Sequence, residues 1–254
     1  MPSEKNKTVL VTGATSGIGE ALANQLSREE GYRFILCGRR AERLGRGLKE
    51  GAEWTPLSFD VRDRSAVEAA IKSLPEGFQE IDVLVNNAGN AHGLDPIDKG
   101  SVEDWEAMID INLKGLLYLS KIVSQGMVER KRGQIINIGS IAGKEAYPSG
   151  NVYCATKAAV DTLTQGMRMD LFEHGIRVAA LHPGLTETEF SEVRFKGDKE
   201  RASKIYEGLK PLTAEDVANS IAFMIAQPEH INIADLLILP TIQASATRKY
   251  KPQT

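Results

Sequence analysis

The stretch TGATSGIGE, residues 12–20, decides the fold. It follows an apolar run, residues 8–12, and leads into a helical pattern. Its glycines let the backbone turn tightly and approach a ligand closely, and the N–H groups at the start of a helix attract anions. Glycine-rich turns also occur without a ligand, but between a first strand and a helix such a turn predicts a dinucleotide site. The candidate cofactor residues in the turn are Gly13, Thr15, Ser16, Gly17, Ile18 and Gly19.

Beyond this turn, short apolar runs alternate with longer amphipathic stretches to the end of the chain. The runs are apolar almost throughout, which is typical of strands that are covered by helices on both faces. They are TVLVT, RFILCG, WTPLSF, IDVLVN, QIINIGS, IRVAALH and DLLILP, and helices are predicted over 17–29, 41–49, 65–74, 102–129, 151–173 and 214–226. We therefore predict an α/β protein with one Rossmann-type doubly wound parallel sheet of about seven strands and helices on both faces.

The pattern also predicts how the chain is organised. No second core, long linker or repeat interrupts it, so residues 1–254 are predicted to form one dinucleotide-binding domain. Thr213 and Asp216 have the spacing of a capping box at the start of the last helix. Residues 185–212 are polar and charged and contain no strand pattern. A connection of that length in a compact domain is usually functional, so we expect it to be a substrate lid.

Composition and charge narrow the class of partner. The 254 residues carry a formal net charge of -3 with both signs interspersed, so there is no basic field for nucleic acid. Cys37 and Cys154 lie far apart and the 4 histidines are scattered, so the spacing predicts neither a disulfide framework nor a metal site. No apolar stretch approaches the ~18 residues of a membrane span. We expect a cytoplasmic protein that binds a small molecule, and neither a membrane nor nucleic acid.

The end of the second predicted strand distinguishes between the two nicotinamide dinucleotides. An enzyme that uses NAD usually has an acidic residue there, which binds the ribose 2′-hydroxyl. This chain has Gly38, Arg39 and Arg40 instead, and a guanidinium binds a phosphate through two hydrogen bonds. NADP is therefore the expected cofactor, and Arg39, directly after the strand, is the better placed arginine. The alternative is that both arginines are solvated charges at the start of a helix.

Further motifs follow the predicted strands. They are NNAG at 86–89, Asn112, Ser140, YCATK at 153–157 and HPG at 182–184. With the glycine-rich turn, they make the chain resemble the classical short-chain dehydrogenases/reductases over nearly its full length. The resemblance implies a catalytic domain with a catalytic set of Asn112, Ser140, Tyr153 and Lys157. It also implies cofactor contacts by Tyr153 and Lys157 and by Asp60, Val61, Asn87, Ala88, Gly89, Pro183, Gly184 and Thr186.

The chemistry of carbonyl reduction fits this catalytic set. The carbonyl oxygen needs a proton donor, and a tyrosine with a pKa of about 10 is a poor one near neutrality. Lys157 follows Tyr153 by one helical turn, so its ammonium and an oxidised nicotinamide are expected to stabilise the phenolate and lower its pKa. Ser140 is expected to bind the substrate oxygen beside Tyr153. By resemblance, Lys157 also binds the nicotinamide ribose, and Asn112 positions a water that links Lys157 to solvent.

Two further stretches narrow the resemblance to one branch of the family. EFSEVRFKGD at 189–198 and HINIADLLILPTIQASAT at 230–247 resemble NADP-dependent dehydrogenases of 3-hydroxy acids such as serine, 3-hydroxyisobutyrate and 3-hydroxypropionate, which also reduce malonic semialdehyde. A carboxylate substrate needs a cation, and the lid offers Arg194 and Lys196. Arg194 suits bidentate carboxylate binding better, although a solvated charge on a mobile loop is an equal alternative.

Other functions remain open from the sequence. One alternative is a reductase of 3-oxoacyl thioesters or general carbonyls in the same family. Another is a non-catalytic NADP-binding regulator, which would have no need of the catalytic set.

The assembly of subunits is predicted from two long helices. The helices predicted over 102–129 and 151–173 carry apolar residues on more than one face, which often indicates burial between subunits. These residues include Leu116, Leu117, Leu119, Val160 and Leu163. In the family that the chain resembles, these helices pair subunits into tetramers, so we expect a homotetramer.

Overall fold

Among residues 6–251, which the computed structural model describes, seven strands form one parallel sheet. The strands are β1 (Lys7–Thr12), β2 (Tyr32–Cys37), β3 (Trp54–Leu57), β4 (Val83–Asn86), β5 (Gly133–Ile138), β6 (Ile176–Pro183) and β7 (Asp235–Ile238). Their order in the sheet is β3-β2-β1-β4-β5-β6-β7. Because the strand order reverses between β1 and β4, their carboxyl ends flank the crevice in which doubly wound sheets bind ligands. The predicted fold class is confirmed.

Helices cover both faces of the sheet. They are α1 (Gly17–Leu26), α2 (Arg64–Lys72), α3 (Val102–Ile109), α4 (Leu116–Arg130), α5 (Asn151–Leu171), α6 (Phe190–Arg194), α7 (Lys199–Lys204) and α8 (Ala214–Ile225). Successive side chains of a strand point to opposite faces. Val9 and Val11 pack with apolar residues of α1 and α8, whereas Leu10 packs with those of α2 and α4. No helix within residues 6–251 is long and apolar enough to cross a membrane.

The capping box predicted for the last helix is present. Thr213 Oγ1 accepts a hydrogen bond from Asp216 N at 3.2 Å, and Thr213 N donates to Asp216 Oδ2 at 2.9 Å. These bonds satisfy N–H groups that the first turn of α8 cannot pair within the helix.

The helix predicted over residues 41–49 is wrong. Only a short 3₁₀ turn, Ala41–Arg43, forms there. Gly45 and Gly47 have φ angles of 78° and 75°, which a right-handed helix does not contain. At Gly45 an added Cβ atom would lie 2.4 Å from the ring of Trp54, so the glycine allows the loop to pack on β3.

The helix predicted over residues 102–129 is interrupted. A π-helical turn, Asp110–Gly115, separates α3 from α4. The apolar periodicity of the sequence does not reveal this turn, which contains Asn112.

Residues 185–212, here called the lid segment, contain the short helices α6 and α7 rather than a strand. The two ends of the segment meet: Leu212 N donates to Leu185 O at 2.9 Å, and Glu187 N donates to Leu212 O at 2.8 Å. The segment therefore leaves the sheet and returns to it at one place, next to the carboxyl end of β6.

Candidate active site

A cavity of about 570 Å³ opens at the carboxyl ends of the central strands. It is lined by every predicted cofactor and substrate residue except Gly19, and by every predicted catalytic residue except Asn112. The site therefore combines residues that are far apart in the chain: Gly13 and Arg194, which both line the cavity, are separated by 181 positions.

The glycine-rich turn is held so closely that side chains are excluded from it. Asn87 Nδ2 donates to Thr12 O at 2.9 Å and to Gly13 O at 3.2 Å. An added Cβ atom would lie 2.9 Å from Asn87 Nδ2 at Gly13 and 2.6 Å from Gly13 O at Gly19. Gly19 therefore does not face the cavity; its missing side chain allows α1 to pack on the turn. The turn leaves its backbone N–H groups and the positive end of α1 accessible to a phosphate.

Two arginines follow β2 at the cavity wall. Arg40 donates to Thr15 Oγ1, from Nε at 3.3 Å and from Nη2 at 3.1 Å, and to Ser16 Oγ at 2.9 Å. Arg39 is more exposed, and its nearest carboxylate is Asp60 at 3.9 Å. A 3₁₀ turn, Ala41–Arg43, begins directly after Arg40. The hydrogen bonds of Arg40 disagree with the alternative of a solvated charge, whereas the Arg39 side chain is 61% exposed and is compatible with it. Which arginine contacts a 2′-phosphate stays a prediction.

Tyr153 and Lys157 lie on α5, buried at the floor of the cavity. Lys157 Nζ donates to Ile138 O at 2.8 Å, and burial lowers the pKa of the ammonium to about 8. Burial raises the pKa of Tyr153, while a hydrogen bond with Ser140 and the charge of Arg194 act to lower it. The predicted lowering of this pKa is therefore not found, because burial disfavours the phenolate charge and outweighs the two opposing effects.

Asn112 lies behind the cavity wall. Its Nδ2 donates to Asn90 O at 2.9 Å and to Thr156 Oγ1 at 3.1 Å, and its Oδ1 accepts from Asn90 N at 2.9 Å. An added Cβ atom on Gly89 would lie 3.0 Å from Asn112 Oδ1 and 3.4 Å from Lys157 Nζ, so these residues meet at Gly89. π-Helical turns in α-helices occur frequently at functional sites. The water expected between Asn112 and Lys157 stays a prediction.

Arg194, the last residue of α6, lies among three aromatic rings. Its guanidinium carbon is 5.7 Å from the ring centre of Tyr147, 5.2 Å from that of Tyr153 and 5.6 Å from that of Phe190. Its Nη2 donates to Tyr147 Oη at 2.6 Å, and its buried Nε has no hydrogen-bond partner among the described residues. Tyr147 and Phe190 were not predicted as site residues, and no local motif in the sequence marks them.

Lys196, the other cation considered for the substrate, lies elsewhere. Its ammonium forms an ion pair with Asp104 at 3.0 Å, and its side chain is 65% exposed. Of these two, only Arg194 lines the cavity.

Cations outnumber acids in the cavity. Both acids that line it are paired: Asp60 with Arg62, and Glu189 with Arg40 and Arg43. The lining cations are Arg39, Arg40, Lys157, Arg194 and Lys249. The excess of positive charge suits anionic ligands.

One side-chain cluster lies behind Lys157, one helical turn further along α5. Lys144 Nζ donates to Asp161, on α5, at 2.9 Å and also to Asp235, on β7. The buried His182 faces the same two carboxylates. One ring nitrogen of His182 and one oxygen of each carboxylate lie within 4.8 Å of one another. Histidine spacing in the sequence gave no hint of this cluster. Since the Lys144 ammonium already bridges both carboxylates, we assign it a structural role, tying α5 to the sheet.

Comparison with known proteins identifies the family. Residues 7–199 match the model of the short chain dehydrogenases. The chain belongs to the short chain dehydrogenase family. Two relatives of this short chain dehydrogenase are the NADP-dependent 3-hydroxy acid dehydrogenase YdfG of Salmonella typhi and the serine 3-dehydrogenase of Rhizobium radiobacter. The first is 50% identical over 241 residues, 94% of this chain and 96% of the relative. The second is 43% identical over 240 residues, with the same coverage of 94% and 96%.

A solved structure agrees with this assignment. The closed form of serine dehydrogenase complexed with NADP+ is 46% identical to this short chain dehydrogenase, with a TM-score of 0.89. The match covers 97% of this chain and 100% of that one. The family predicted from the motifs is confirmed, and these relatives belong to the predicted branch.

Proposed function

We propose that this short chain dehydrogenase transfers a hydride between NADP and a small 3-hydroxy acid or its 3-oxo acid, of the serine, 3-hydroxyisobutyrate or 3-hydroxypropionate type. The proposal rests on the position of Arg194. Its guanidinium lies beside Tyr153 in the cavity, and its buried Nε has no hydrogen-bond partner among the described residues. Such a group needs an anion, and a substrate carboxylate supplies one. The names of the relatives support the same substrate class.

The residues at the cavity fit NADP. The glycine-rich turn lines the cavity through Gly13 and residues 15–18, so a pyrophosphate placed there would lie against the start of α1. Arg39 and Arg40 supply positive charge where NAD enzymes have an acid. Asp60, Val61 and the segment 87–89 line the part of the cavity expected to take adenosine.

The catalytic roles follow from the positions of the side chains. NADP, when bound, accepts or supplies the hydride. Tyr153 exchanges a proton with the substrate oxygen, and the Ser140 hydroxyl binds the same oxygen. The Lys157 ammonium stabilises the phenolate of Tyr153, and Asn112 holds the turn behind Lys157. Arg194 orients the substrate through its carboxylate.

A substrate panel tests the proposal. Initial rates are measured with NADP and NAD for both serine enantiomers, 3-hydroxyisobutyrate, 3-hydroxypropionate and uncharged alcohols of similar size, and in reverse for a 3-oxoacyl thioester. NADP-dependent turnover of the hydroxy acids is expected. Arg194→Met should raise KM for the acids by about 10- to 100-fold, since a hydrogen bond to a charged group contributes about 1.5–3 kcal/mol. Rates with uncharged alcohols should change little.

Arg201 provides the matched control. It is the other arginine of the lid segment and stacks on Phe195 outside the cavity lining, with 4.3 Å between its guanidinium carbon and the ring centre. Arg201→Met should leave KM for the acids unchanged. Equal activity on uncharged alcohols, or an unchanged KM in Arg194→Met, would remove the 3-hydroxy acid assignment. Preference for the thioester would favour the alternative reductase.

A homotetramer in the cytoplasm is proposed with this function. Of the residues expected at the interfaces, Leu116, Leu119 and Val160 are buried in their own subunit and do not support the assembly, whereas Leu117 on α4 is 40% exposed. Met169 on α5, which was not predicted, is 74% exposed and is also available to a partner. Light scattering should give four times the chain mass of 27.7 kDa, and a monomer would contradict the proposal. The free cysteines are typical of a reducing compartment, which cell fractionation tests.

A further inference from the structure

The first residues of the lid segment lie on the glycine-rich turn. Thr188 faces Gly17, where an added Cβ atom would lie 3.4 Å from Thr188 Cβ. The next residue, Glu189, bridges two arginines: Oε2 accepts from Arg40 Nη1 at 2.9 Å, and Oε1 accepts from Arg43 Nη1 at 2.8 Å. One carboxylate therefore ties the lid segment to the loop after β2.

This carboxylate completes the set of acceptors around Arg40. The other acceptors are the hydroxyls of Thr15 and Ser16, which are bound by Nε and Nη2. Hydrogen bonds on both sides of a planar guanidinium fix its orientation. Among residues 6–251, Glu189 is the only charged acceptor that this guanidinium binds, and hydrogen bonds to charged acceptors are the stronger ones.

The loop after β2 carries more positive charge than Glu189 neutralises. Glu189 pairs with Arg40 and Arg43, and Arg39 lies 3.9 Å from Asp60, a carboxylate that is already bound by Arg62. The remaining positive charge suits a phosphate monoester, which carries about -2. Burial acts to raise the pKa of Glu189, but the hydrogen bonds and charges of Arg40 and Arg43 outweigh it, so this pKa lies below its usual value. Glu189 is ionised at neutral pH.

We propose that Glu189 is a positioning residue for the 2′-phosphate of NADP, which holds the Arg40 guanidinium in the orientation that binds the phosphate. Recognition of the cofactor then depends on the lid segment, whose α6 also carries Arg194. This inference rests on the NADP specificity proposed above.

Binding measurements on Glu189→Gln test the inference. Dissociation constants are measured by fluorescence for NADPH and NADH, and by competition for 2′,5′-ADP and 5′-AMP, which differ only in the 2′-phosphate. NADPH and 2′,5′-ADP are expected to bind about 10-fold more weakly, whereas NADH and 5′-AMP should be unaffected. Glu192→Gln, which neutralises an exposed acid of α6 three residues further along the chain, is the matched control and should change none of the four constants.

A double-mutant cycle shows whether Glu189 acts through Arg40. Arg40→Gln alone should weaken NADPH binding, and adding Glu189→Gln should cost nothing further. Additive losses, or NADPH binding that is unchanged or tighter in Glu189→Gln, would overturn the inference. An equal loss for NADH would do the same, since it would indicate general damage to the turn.

The wild-type protein separates this inference from the proposed function. If it binds NADH as tightly as NADPH, the proposed NADP specificity fails, and the role of Glu189 fails with it. If it prefers NADPH but Glu189→Gln retains that preference, only the role of Glu189 is lost.

Discussion

Replacing Tyr153 with phenylalanine is expected to lower kcat by about 10²- to 10⁴-fold in both directions, the range that a positioned acid–base group contributes. The substitution removes the hydroxyl beside Ser140 and Arg194 and keeps the ring that packs on Phe190, 5.6 Å away between ring centres. NADPH affinity should change little, because the glycine-rich turn and the arginines after β2 are intact. Steady-state kinetics measure the change in kcat, and NADPH fluorescence measures the affinity for the cofactor.

Tyr147 decides what a contrary result would mean. It is the other tyrosine that contacts Arg194, and its hydroxyl accepts from Nη2 at 2.6 Å. If Tyr153→Phe kept more than about a tenth of the wild-type kcat, the loss would be smaller than the smallest one expected for an acid–base group. Proton transfer would then have to be assigned to another group, of which Tyr147 would be the first to test. Tyr250→Phe, at an exposed position outside the cavity lining, is the control and should be fully active.

The same tyrosine sets the expected pH dependence. Alcohol oxidation needs the phenolate of Tyr153 as base, and carbonyl reduction needs the phenol as acid. Because burial raises the pKa of Tyr153, phenolate is scarce near neutrality and the oxidation rate should rise towards alkaline pH. Reduction should not show this rise.

The parts of this molecule that were predictable from its sequence are those with local signals. The apolar runs predict a parallel sheet because such strands are buried on both faces, and the capping box at Thr213 marks the start of α8. The glycine-rich turn and the Tyr153–Lys157 spacing likewise lie within single stretches of chain. The prediction failed over residues 41–49, where the helical pattern was outweighed by glycines with positive φ.

Contacts between distant segments had no such signal. Glu189 meets Arg40 across 149 positions of the chain, and Arg194 meets Tyr147 across 47. Each pair is brought together by the return of the lid segment to the sheet, which depends on the whole fold. Sequence patterns therefore identified Arg194 as a candidate anion site but not the aromatic rings that enclose it, and they gave no role to Glu189.

Replacing Lys157 with methionine is expected to remove nearly all turnover without destabilising the cofactor-free protein at neutral pH. Lys157 is 6% exposed, and burial lowers its pKa from 10.5 to about 8. That difference corresponds to about 3 kcal/mol of destabilisation of the folded state while the ammonium is charged. Methionine has a similar length and no charge, so the variant does not bury a charge. It loses only the hydrogen bond to Ile138 O, which contributes about 1 kcal/mol.

The pH dependence of the free energy of unfolding distinguishes the cost of burying the Lys157 charge from any general effect of the substitution. Between pH 8 and 10.5 the unfolded chain keeps the proton on Lys157 while the folded protein releases it, so wild-type stability gains with rising pH in that window. The variant lacks this gain. Chemical denaturation at pH 7 and pH 10.5 should therefore show the wild-type protein improving relative to Lys157→Met by about 3 kcal/mol. An unchanged difference would mean that the buried ammonium carries no such cost, and that Lys157 is held in its charged form by interactions other than the bond to Ile138.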